Sequence, residues 1–347
     1  MKLHFLTRYS SLGASSRLRF YQFIPFLKEA GIDVSCDSFF DDSYLQNLYA
    51  GKKRKIFSLF KYYHSRQKLL KSIPDGTPVV IEYELFPHLP CCMERGFLKK
   101  HPYILNFDDA VDLHYQKIPF LKNKYPQLIA DAKGIIVAND MLMEKFGKFN
   151  CNIIKIPTIP PASITPGSSK PEKLTLVWTG TPVTAPFVRV CANALTEAAK
   201  KVDFELLTVG AEIKIDGVNC RFIPWSQANE ADALRQAHAG IMPLPDTAFA
   251  RGKSAYKLIC YLRSGIPGIA SPVGENCRVI SDGVNGFLAG DDQKWCEAIL
   301  QLSDPQIREK LSCNAENSGK AYGLPENAGK LIDFLNIQLN PASKMKS

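Results

Sequence analysis

The stretch that decides the fold runs from Phe249 to Gly290 and reads FARGKSAYKLICYLRSGIPGIASPVGENCRVISDGVNGFLAG. Its pattern predicts a loop, a helix opened by Gly252-Lys253-Ser254, a short buried strand at 268–270, a second loop and a second helix start. The first backbone amides of a helix have no partner inside it. Two helix starts beside the end of one strand therefore predict a diphosphate-binding crevice in an open α/β sheet.

Two lysines add positive charge to this crevice. Lys253 and Lys257 are one helical turn apart, so their ammonium groups are expected on one face. The alternative is an ordinary βα unit with a capped helix, because a lone Gly-Lys-Ser is a weak signal. The predicted phosphate-binding residues of the two loops are Gly252, Lys253, Ser254, Lys257, Val273, Gly274, Glu275 and Asn276.

The order of residues from Gly252 to Ala289 resembles the donor-binding segment of retaining glycosyltransferases of the GT-B type, family four. The Ser-Pro-Val-Gly-x-Asn run at 271–276 and the Asp-Gly-x-Asn-Gly-Phe-Leu turn at 282–288 carry the resemblance. It implies two doubly wound, Rossmann-like α/β domains facing across a cleft, and sugar transfer with retention of anomeric configuration. The family often has glutamates at the positions of Gly252 and Cys260, so a carboxylate for the nucleotide ribose is missing at Cys260.

Length and composition set the class of protein. A chain of 347 residues, 46% hydrophobic and 22% charged, predicts a soluble protein with two domains. No run reaches the ~20 apolar residues of a membrane span, and Met1 to Thr7 is too quickly polar for a signal peptide. The ten cysteines lack ligand spacing, which predicts free thiols in a reducing cytoplasm, no metal site and no resident cofactor.

Alternating apolar runs and helical patterns in each half predict parallel sheets with crossover helices. We expect an acceptor-side domain over 1–156 and a nucleotide-sugar domain over 174–325. The segment 157–173, PTIPPASITPGSSKPEK, is predicted as a linker about which the two domains rotate. Residues 326–347 are predicted as a helix that crosses back to the first domain, followed by a tail.

Candidate residues of the first half follow its predicted strands. Gly13 and Ala14 follow the first strand and resemble the family loop that faces the donor phosphates; a plain βα turn is the alternative. Ser15 or Ser16 is expected to cap the next helix. Further along, two strands end in carboxylates, and Asp109 or Glu84 is predicted to steer or deprotonate the acceptor hydroxyl, with helix capping as the alternative. Asp108, His88 and His114 are further polar candidates.

In the second half, the loop with Gly180 and Thr181 is expected to line the crevice, and Trp225 to stack on the nucleobase near Ile223. Many family members carry an arginine and a lysine in the Gly180 loop, and none stand here. Lys253 and Lys257 are expected to replace that charge, and Lys253 is the catalytic candidate on the donor side. Glu230 is expected to begin a helix and stabilise its dipole.

The net charge of +9 comes mostly from Lys52 to Lys71, which holds eight Lys and Arg residues and no acid. This stretch predicts a basic amphipathic helix on an anionic membrane surface, which would suit a lipid-linked acceptor. The alternative is a helix packed on the core with a solvated charged face. Nucleic acid is not an expected partner, because no nucleic-acid motif accompanies the charge.

Together these features predict a metal-independent glycosyltransferase in the cytoplasm, peripheral on the inner membrane face, with a nucleotide sugar as donor. The acceptor hydroxyl would belong to a cell-surface polysaccharide, a lipid-linked glycan or a small-molecule glycan. Three alternatives remain: a nucleotide-sugar epimerase or hydrolase, a non-catalytic nucleotide-sugar-binding scaffold, and a membrane-surface or nucleic-acid adaptor using Lys52 to Lys71.

Overall fold

A computed structural model describes residues 1–49 and 56–339 of the chain. It divides into two compact units. The first contains Met1–Thr158 together with the chain from Pro325 onward, and the second contains Ile159–Leu324.

The first unit is built on a six-stranded parallel sheet of order β2-β1-β3-β4-β5-β6. Its strands are β1 Lys2–Tyr9, β2 Asp33–Phe40, β3 Val79–Glu82, β4 Tyr103–Phe107, β5 Gly134–Val137 and β6 Ile153–Lys155. Its helices are α1 Ala14–Arg19, α2 Ile24–Glu29, α3 Asp42–Tyr49, α4 Ile56–Ser72, α5 Cys92–Leu98, α6 Asp112–Gln116, α7 Lys124–Asp131 and α8 Asp140–Gly147, with α16 Leu324–Leu339. The strand order reverses between β1 and β3, which is where open α/β sheets bind ligands.

The second unit repeats this plan with a parallel sheet of order β12-β11-β10-β7-β8-β9. Its strands are β7 Leu174–Thr179, β8 Phe204–Val209, β9 Asn219–Ile223, β10 Ala239–Met242, β11 Gly268–Ala270 and β12 Gly286–Leu288. Its helices are α9 Ala192–Ala199, α10 Gln227–Gln236, α11 Ala248–Arg251, α12 Tyr256–Arg263, α13 Asn276–Val279, α14 Asp292–Ser303 and α15 Pro305–Gly319. The reversal here lies between β7 and β10, and the loops after these strands carry the predicted donor residues.

Buried apolar side chains fill both units, as fully covered parallel sheets require. One large cluster, rich in Phe and Tyr, forms the core of the first unit. The second unit has two clusters, one containing α10, α12 and Ile164 and the other containing α9, α14 and Trp295. Helix α16 packs on the first unit so closely that a Cβ at Gly134 would come within 2.7 Å of Phe334, which explains the glycine at the start of β5.

One local expectation was wrong in detail. The predicted first helix is divided: α1 ends at Arg19, a 3₁₀ turn follows, and α2 begins at Ile24. Within the segment predicted as a linker, Ile164 is buried in a core cluster of the second unit and Lys170 donates to the carbonyl of Ala237, while many of the other residues are exposed. Rotation about this segment remains a prediction.

Candidate functional site

The organising stretch forms a helix start, but not where the sequence predicted it. Gly252 ends the short helix α11, and α12 begins four residues later at Tyr256. The intervening residue Ala255 has a left-handed backbone with φ of +52° and caps no amide with its side chain. The predicted opening at Gly252-Lys253-Ser254 is therefore wrong, because these residues form a turn between two helices.

The start of α12 presents amides that the protein itself does not use. In the described part of the chain, neither the Lys257 nor the Leu258 backbone N–H has an acceptor, whereas the Ile259 N–H donates to Ala255 O. Lys253 N–H is occupied, since it donates to Ala250 O at 3.2 Å. The anion-binding end of this helix is therefore at Lys257 rather than Lys253.

The Lys257 side chain is the most unusual charge in the second unit. Its Nζ lies over the indole of Trp178, 4.8 Å from the ring centroid, and no carboxylate among the described residues reaches ion-pair distance. Burial, with a smaller contribution from the charge of Lys253, lowers the pKa of Lys257 to about 7, while Glu230 and Cys260 oppose the shift. A cation over an aromatic face without a counter-ion gains most from an anionic ligand.

Lys253 is better accommodated. Its Nζ lies over the ring of Phe249, 4.6 Å from the centroid, and its side chain is partly exposed. Ser254, between the two lysines, is buried. The structure therefore places both predicted lysines and Ser254 in one turn, and both lysine side chains are partly exposed.

The second predicted loop is in contact with this turn. A Cβ at Gly274, which has φ of +57°, would come within 2.4 Å of Arg251 O, so only glycine fits this approach. The second helix start is weaker than predicted, because α13 is only one turn long. Its neighbouring amides are partly used: Val273 N–H donates to Ser271 O and Asn276 N–H to Val273 O.

Asn276 and Glu275 are also explained by the fold. The Asn276 amide group donates to Ser271 O at 3.0 Å, and the Ser271 hydroxyl accepts from Leu244 N–H at 2.9 Å. Both predicted residues are buried. The resemblance motif at 271–276 thus has a structural role in joining the loops after β10 and β11.

The loop after β7 lies against the same tryptophan. A Cβ at Gly180 would come within 2.5 Å of the Trp178 ring, and Gly180 O approaches the Cβ position of Gly210 to 2.2 Å. Thr181 is exposed, and its N–H donates to the Thr184 hydroxyl at 3.2 Å. The glycines after β7 and β8 therefore let two loops approach closely beside Trp178.

Trp225 follows β9 and is 43% exposed, which removes the alternative of a core tryptophan. Its Nε1–H donates to Glu230 Oε2 at 3.3 Å. Glu230 lies in the first turn of α10, where an acid stabilises the helix dipole as predicted, but the helix begins earlier, at Gln227. The cap is Ser226, whose hydroxyl accepts from Asn229 N–H, and Glu230 is buried. An exposed indole with a fixed N–H suits stacking on a planar ring.

Cys260 is fully buried in α12, and burial raises the pKa of its thiol well above the ordinary value. Glu230 and Lys257 both act on this thiol electrostatically. Because position 260 is a cysteine, the carboxylate that the family often has there is absent. Glu230 is a buried carboxylate nearby, and it was not assigned to the site from the sequence.

In the first unit, Glu84 lies in a buried ion network. Its Oε2 is 2.5 Å from Lys124 Nζ, and its Oε1 accepts from the Tyr115 hydroxyl at 2.5 Å. Lys124 is also 2.7 Å from Glu94 Oε1 and donates to Phe86 O. A carboxylate held by these donors and buried at 6% exposure is poorly placed to meet an acceptor.

Asp108 and Asp109 follow β4 at the sheet edge and are half-buried. Neither aspartate caps α6, whose N-cap residue is Val111. The Tyr83 hydroxyl hydrogen-bonds Asp108 Oδ1. Of the two predicted catalytic carboxylates, Asp109 is the more accessible.

The first loop of this unit is shaped by packing. A Cβ at Gly13 would come within 2.4 Å of Tyr9 Cβ, and Ala14 is exposed. Ser16 does not cap α1 as predicted; its hydroxyl donates to Glu82 Oε2 at 2.5 Å. Whether this loop faces donor phosphates remains a prediction.

Among the histidine candidates, His88 is exposed and its ring stacks on Tyr115 with 5.5 Å between centroids. His114 is exposed on α6. Next along the chain, Asn139 caps α8 by accepting from Leu142 N–H.

Only part of the basic stretch lies within the described residues, since 50–55 fall outside them. In the rest, α4 packs one face on the core, where Tyr62, Arg66 and Leu70 are buried. Lys61, Lys68 and Lys71 lie on the exposed face, and Phe60 is 67% exposed. The apolar stripe of the described helix thus faces the protein core, as the alternative reading of this stretch expected.

Residues 1–49 and 56–339 contain no group of three or more His, Cys, Asp or Glu side chains that could hold a metal ion. Within the same residues, every helix is too short or too polar to cross a membrane.

Sequence reasoning missed Trp178, Glu230 and Tyr83. Trp178 lies in an apolar run that predicts a strand, and nothing in that pattern indicates a cation over its ring. Glu230 was predicted only to stabilise the dipole of α10, and its electrostatic effect on Lys257 and Cys260 was not predicted. The Tyr83 conformation, with φ of +64°, has no signal in the sequence.

The family model for glycosyl transferases group 1 matches residues 174–304, which lie in the second unit. No curated protein matches the sequence.

Solved structures resemble the whole chain. A glycosyltransferase from Rickettsia africae ESF-5 is 12% identical with a TM-score of 0.70, covering 98% of this chain and 99% of that one. The Anabaena protein HepE in complex with UDP-glucose is 12% identical with a TM-score of 0.67, at 96% and 98% coverage. Sucrose-phosphate synthase from Thermosynechococcus elongatus is 15% identical with a TM-score of 0.64, at 99% and 100% coverage. These likenesses confirm the predicted α/β fold of the GT-B type with two Rossmann-like units.

Proposed function

We propose that the chain is a hexosyltransferase-type glycosyltransferase that moves a sugar from a nucleotide-diphosphate sugar to a hydroxyl acceptor. The observation that carries the proposal is Lys257, a cation with no carboxylate partner beside two unused amides at the start of α12. The group 1 family match over this unit and the UDP-glucose bound to the Anabaena neighbour point to the same ligand class.

The chemistry follows from charge. When the bond between sugar and diphosphate breaks, negative charge grows on the leaving diphosphate. The ammonium groups of Lys257 and Lys253 and the free amides of α12 would stabilise that charge, so the proposal includes no metal requirement. Trp225 would stack on the nucleobase, with Gly180, Thr181 and Gly274 close to the phosphates.

Acceptor activation is assigned to the first unit, where Asp109 would steer the acceptor hydroxyl. We retain the expectation of retained anomeric configuration, for which the family resemblance is the support. Product analysis by NMR gives the anomeric configuration. It also separates transfer from epimerisation or hydrolysis, because only transfer yields a new glycoside.

The deciding test is a thermal-shift screen of the full chain with UDP, GDP, ADP and their glucose or mannose conjugates, with and without a chelator. A ligand that binds only the folded state raises the melting temperature. We expect at least one nucleotide diphosphate to do so. Lys257→Met should lose about 100-fold in affinity, because it removes the ammonium contact to the diphosphate while the backbone amides of α12 remain. Lys310→Met, an exposed lysine of α15, is the matched control and should bind normally.

Two results would overturn the proposal. One is a screen in which no nucleotide shifts the wild-type protein. The other is a bound nucleotide whose affinity is unchanged in Lys257→Met.

We also propose that the acceptor is a lipid-linked or cell-surface glycan and that the enzyme works at the inner membrane face. The support is the exposed lysine face of α4, since its apolar face is already covered. The expected attraction is therefore electrostatic, on the order of 1 kcal/mol per charge. Sedimentation with phosphatidylserine vesicles should retain the wild type at low salt but not Lys61→Glu/Lys68→Glu; equal sedimentation with phosphatidylcholine vesicles alone would contradict it.

A further inference from the structure

Tyr83 and Asp108 meet where two neighbouring strands of the first unit end. Strands β3 and β4 pair in parallel with Glu82 opposite Asn106, so the residues that follow lie at the same sheet edge. There the Tyr83 hydroxyl hydrogen-bonds Asp108 Oδ1. Asp109 is the next residue along the chain and is the carboxylate assigned above to the acceptor.

The backbone of Tyr83 is fixed in an uncommon conformation. Its φ is +64°, its N–H donates to Asn106 O at 3.1 Å, and Glu84 N–H donates across it to Glu82 O at 2.8 Å. An aromatic residue rarely adopts this left-handed region, and such outliers concentrate where a side chain must be aimed. Here the turn directs the hydroxyl at Asp108.

Charges on three neighbouring segments face Asp108. Burial is the largest effect and, with the negative charges of Asp109 and Glu82, raises the pKa of Asp108 to about 7, while Arg19 opposes the shift. Glu82 is itself buried, and its Oε1 has no hydrogen-bond partner in the described part of the chain. Arg19 is held elsewhere by Asn106 Oδ1 and Ile156 O, so it does not pair directly with Asp108.

We propose that Asp108 is the group that takes the proton from the acceptor hydroxyl, and that Tyr83 is a positioning residue that holds its carboxylate. This rests on the proposed glycosyl transfer. The acceptor O–H bond breaks and its proton passes to Asp108. The oxygen's electron pair forms the bond to the anomeric carbon on the same face that the diphosphate leaves, which keeps the anomeric configuration, and the electron pair of the breaking bond stays with the leaving diphosphate.

Asp108 suits this role better than Asp109 or Glu84. A base is most effective when its pKa is near the working pH, and an ordinary aspartate is too weak a base at neutrality. Two adjacent carboxylates do not both ionise easily, so Asp109 keeps Asp108 basic. The Tyr83 hydroxyl donates to the charged form and limits the shift, which keeps Asp108 largely deprotonated above pH 7.

The protonation of Asp108 is measured first, in the absence of any substrate. The full chain is labelled with ¹³Cγ-aspartate and titrated by NMR, and Asp108→Asn identifies the Asp108 signal. We expect a midpoint near pH 7. Tyr83→Phe should raise the midpoint by about 0.5 to 1 pH unit, because the carboxylate loses one donor. Asp109→Asn should lower it, and this second variant keeps the test valid should Tyr83→Phe fold poorly.

Tyr103→Phe is the matched control. It removes a buried tyrosine hydroxyl that donates to Leu128 O at 2.7 Å, at the opposite end of β4. Its Asp108 midpoint should equal that of the wild type. An Asp108 midpoint below about pH 5, or one that neither Tyr83→Phe nor Asp109→Asn moves, would overturn the inference.

The catalytic role is tested with the nucleotide sugar that gives the largest thermal shift, with water as the acceptor. We expect kcat/KM to rise through the NMR midpoint and the rising limb to move upward in Tyr83→Phe but not in Tyr103→Phe. A bound donor with a flat profile, or with no turnover, would overturn the role of Asp108 while leaving donor binding intact. Failure of every nucleotide to bind would instead overturn the proposed function. The NMR titration would still show whether Asp108 titrates near pH 7 and whether Tyr83 and Asp109 affect it.

Discussion

Two lysines, one in each unit, show how differently a protein can accommodate a desolvated cation. Lys124 is 2% exposed and is surrounded by two carboxylates and a carbonyl. Lys257 has an aromatic ring beneath it, a second lysine nearby and no carboxylate at ion-pair distance among the described residues. The fold itself supplies the counter-charges of Lys124, whereas Lys257 gains a counter-charge only when an anionic ligand binds.

The comparison extends to the carboxylates. Glu84 and Glu94 serve the first lysine, and Glu94 also accepts from the backbone N–H groups of Leu85 and Phe86 at 3.1 Å. Glu94 thereby fixes the irregular loop after β3 by accepting from two of its amides. Burial raises the pKa of Glu94, and the charge of Lys124 opposes the rise. A buried charge that is fully paired within the protein affects folding stability rather than ligand binding.

Removing the first lysine should have the largest effect. Lys124→Met leaves the buried carboxylate of Glu94 without its counter-charge and leaves Glu84 with only Arg8, at 3.7 Å, which costs on the order of 3 to 5 kcal/mol of unfolding free energy. Urea unfolding is followed by far-ultraviolet circular dichroism, which reports both units. The three tryptophans all lie in the second unit, so their fluorescence transition is an internal control and should not move.

The control substitution is Lys122→Met, two residues earlier and exposed, which should change stability by less than about 0.5 kcal/mol. Equal transitions for Lys124→Met and Lys122→Met would show that the network contributes little. The contrast between the two lysines would then fail.

The sequence predicted the architecture well because the signals are redundant. Apolar runs such as Val79–Glu82 and Leu174–Thr179 are buried throughout, so composition alone marks them as strands of covered parallel sheets. Helix boundaries were harder. The Gly252-Lys253-Ser254 run looked like a helix start, but the left-handed turn at Ala255 moves the start to Tyr256.

The candidate site was predictable only in part, for a related reason. Spacing along a helix puts Lys253 and Lys257 one turn apart, and both do lie together. Which lysine lacks a counter-charge depends on Trp178 and Glu230, which arrive from other strands and helices. Likewise, strand ends identify Glu84 and Asp109, but only tertiary packing shows that Glu84 is already paired with Lys124.

The motif that carries the family resemblance predicted the fold correctly, partly because several of its residues are needed for hydrogen bonding and packing. Asn285 in the turn at 282–288 accepts from Ser281 N–H and donates to Val279 O, and Gly286 lies against Gly268 O, where a Cβ would come within 2.2 Å. A motif that a fold needs for packing can persist in sequence whether or not the site it supports is active. Its presence is therefore better evidence for the architecture than for catalysis.

Removing the second lysine should change stability by less and in the opposite direction. The pKa of Lys257 is lowered to about 7, so between pH 7 and about 10 the unfolded chain binds more protons than the folded one. Wild-type stability therefore rises with pH across that window. Lys257→Met removes this cost, and we expect about 1 to 2 kcal/mol of added stability at pH 7 that shrinks as the pH approaches 10.

Tryptophan fluorescence during urea unfolding measures this in the second unit, with Lys310→Met as the exposed control. Saturating nucleotide should reverse the order, stabilising the wild type and Lys310→Met but not Lys257→Met, because only a charged Lys257 gains from the diphosphate. A Lys257→Met protein less stable than the wild type at pH 7 would mean that the ammonium already has a partner in the fold. Lys257 would then resemble Lys124, and the proposal of an anion-binding site in the second unit would be contradicted.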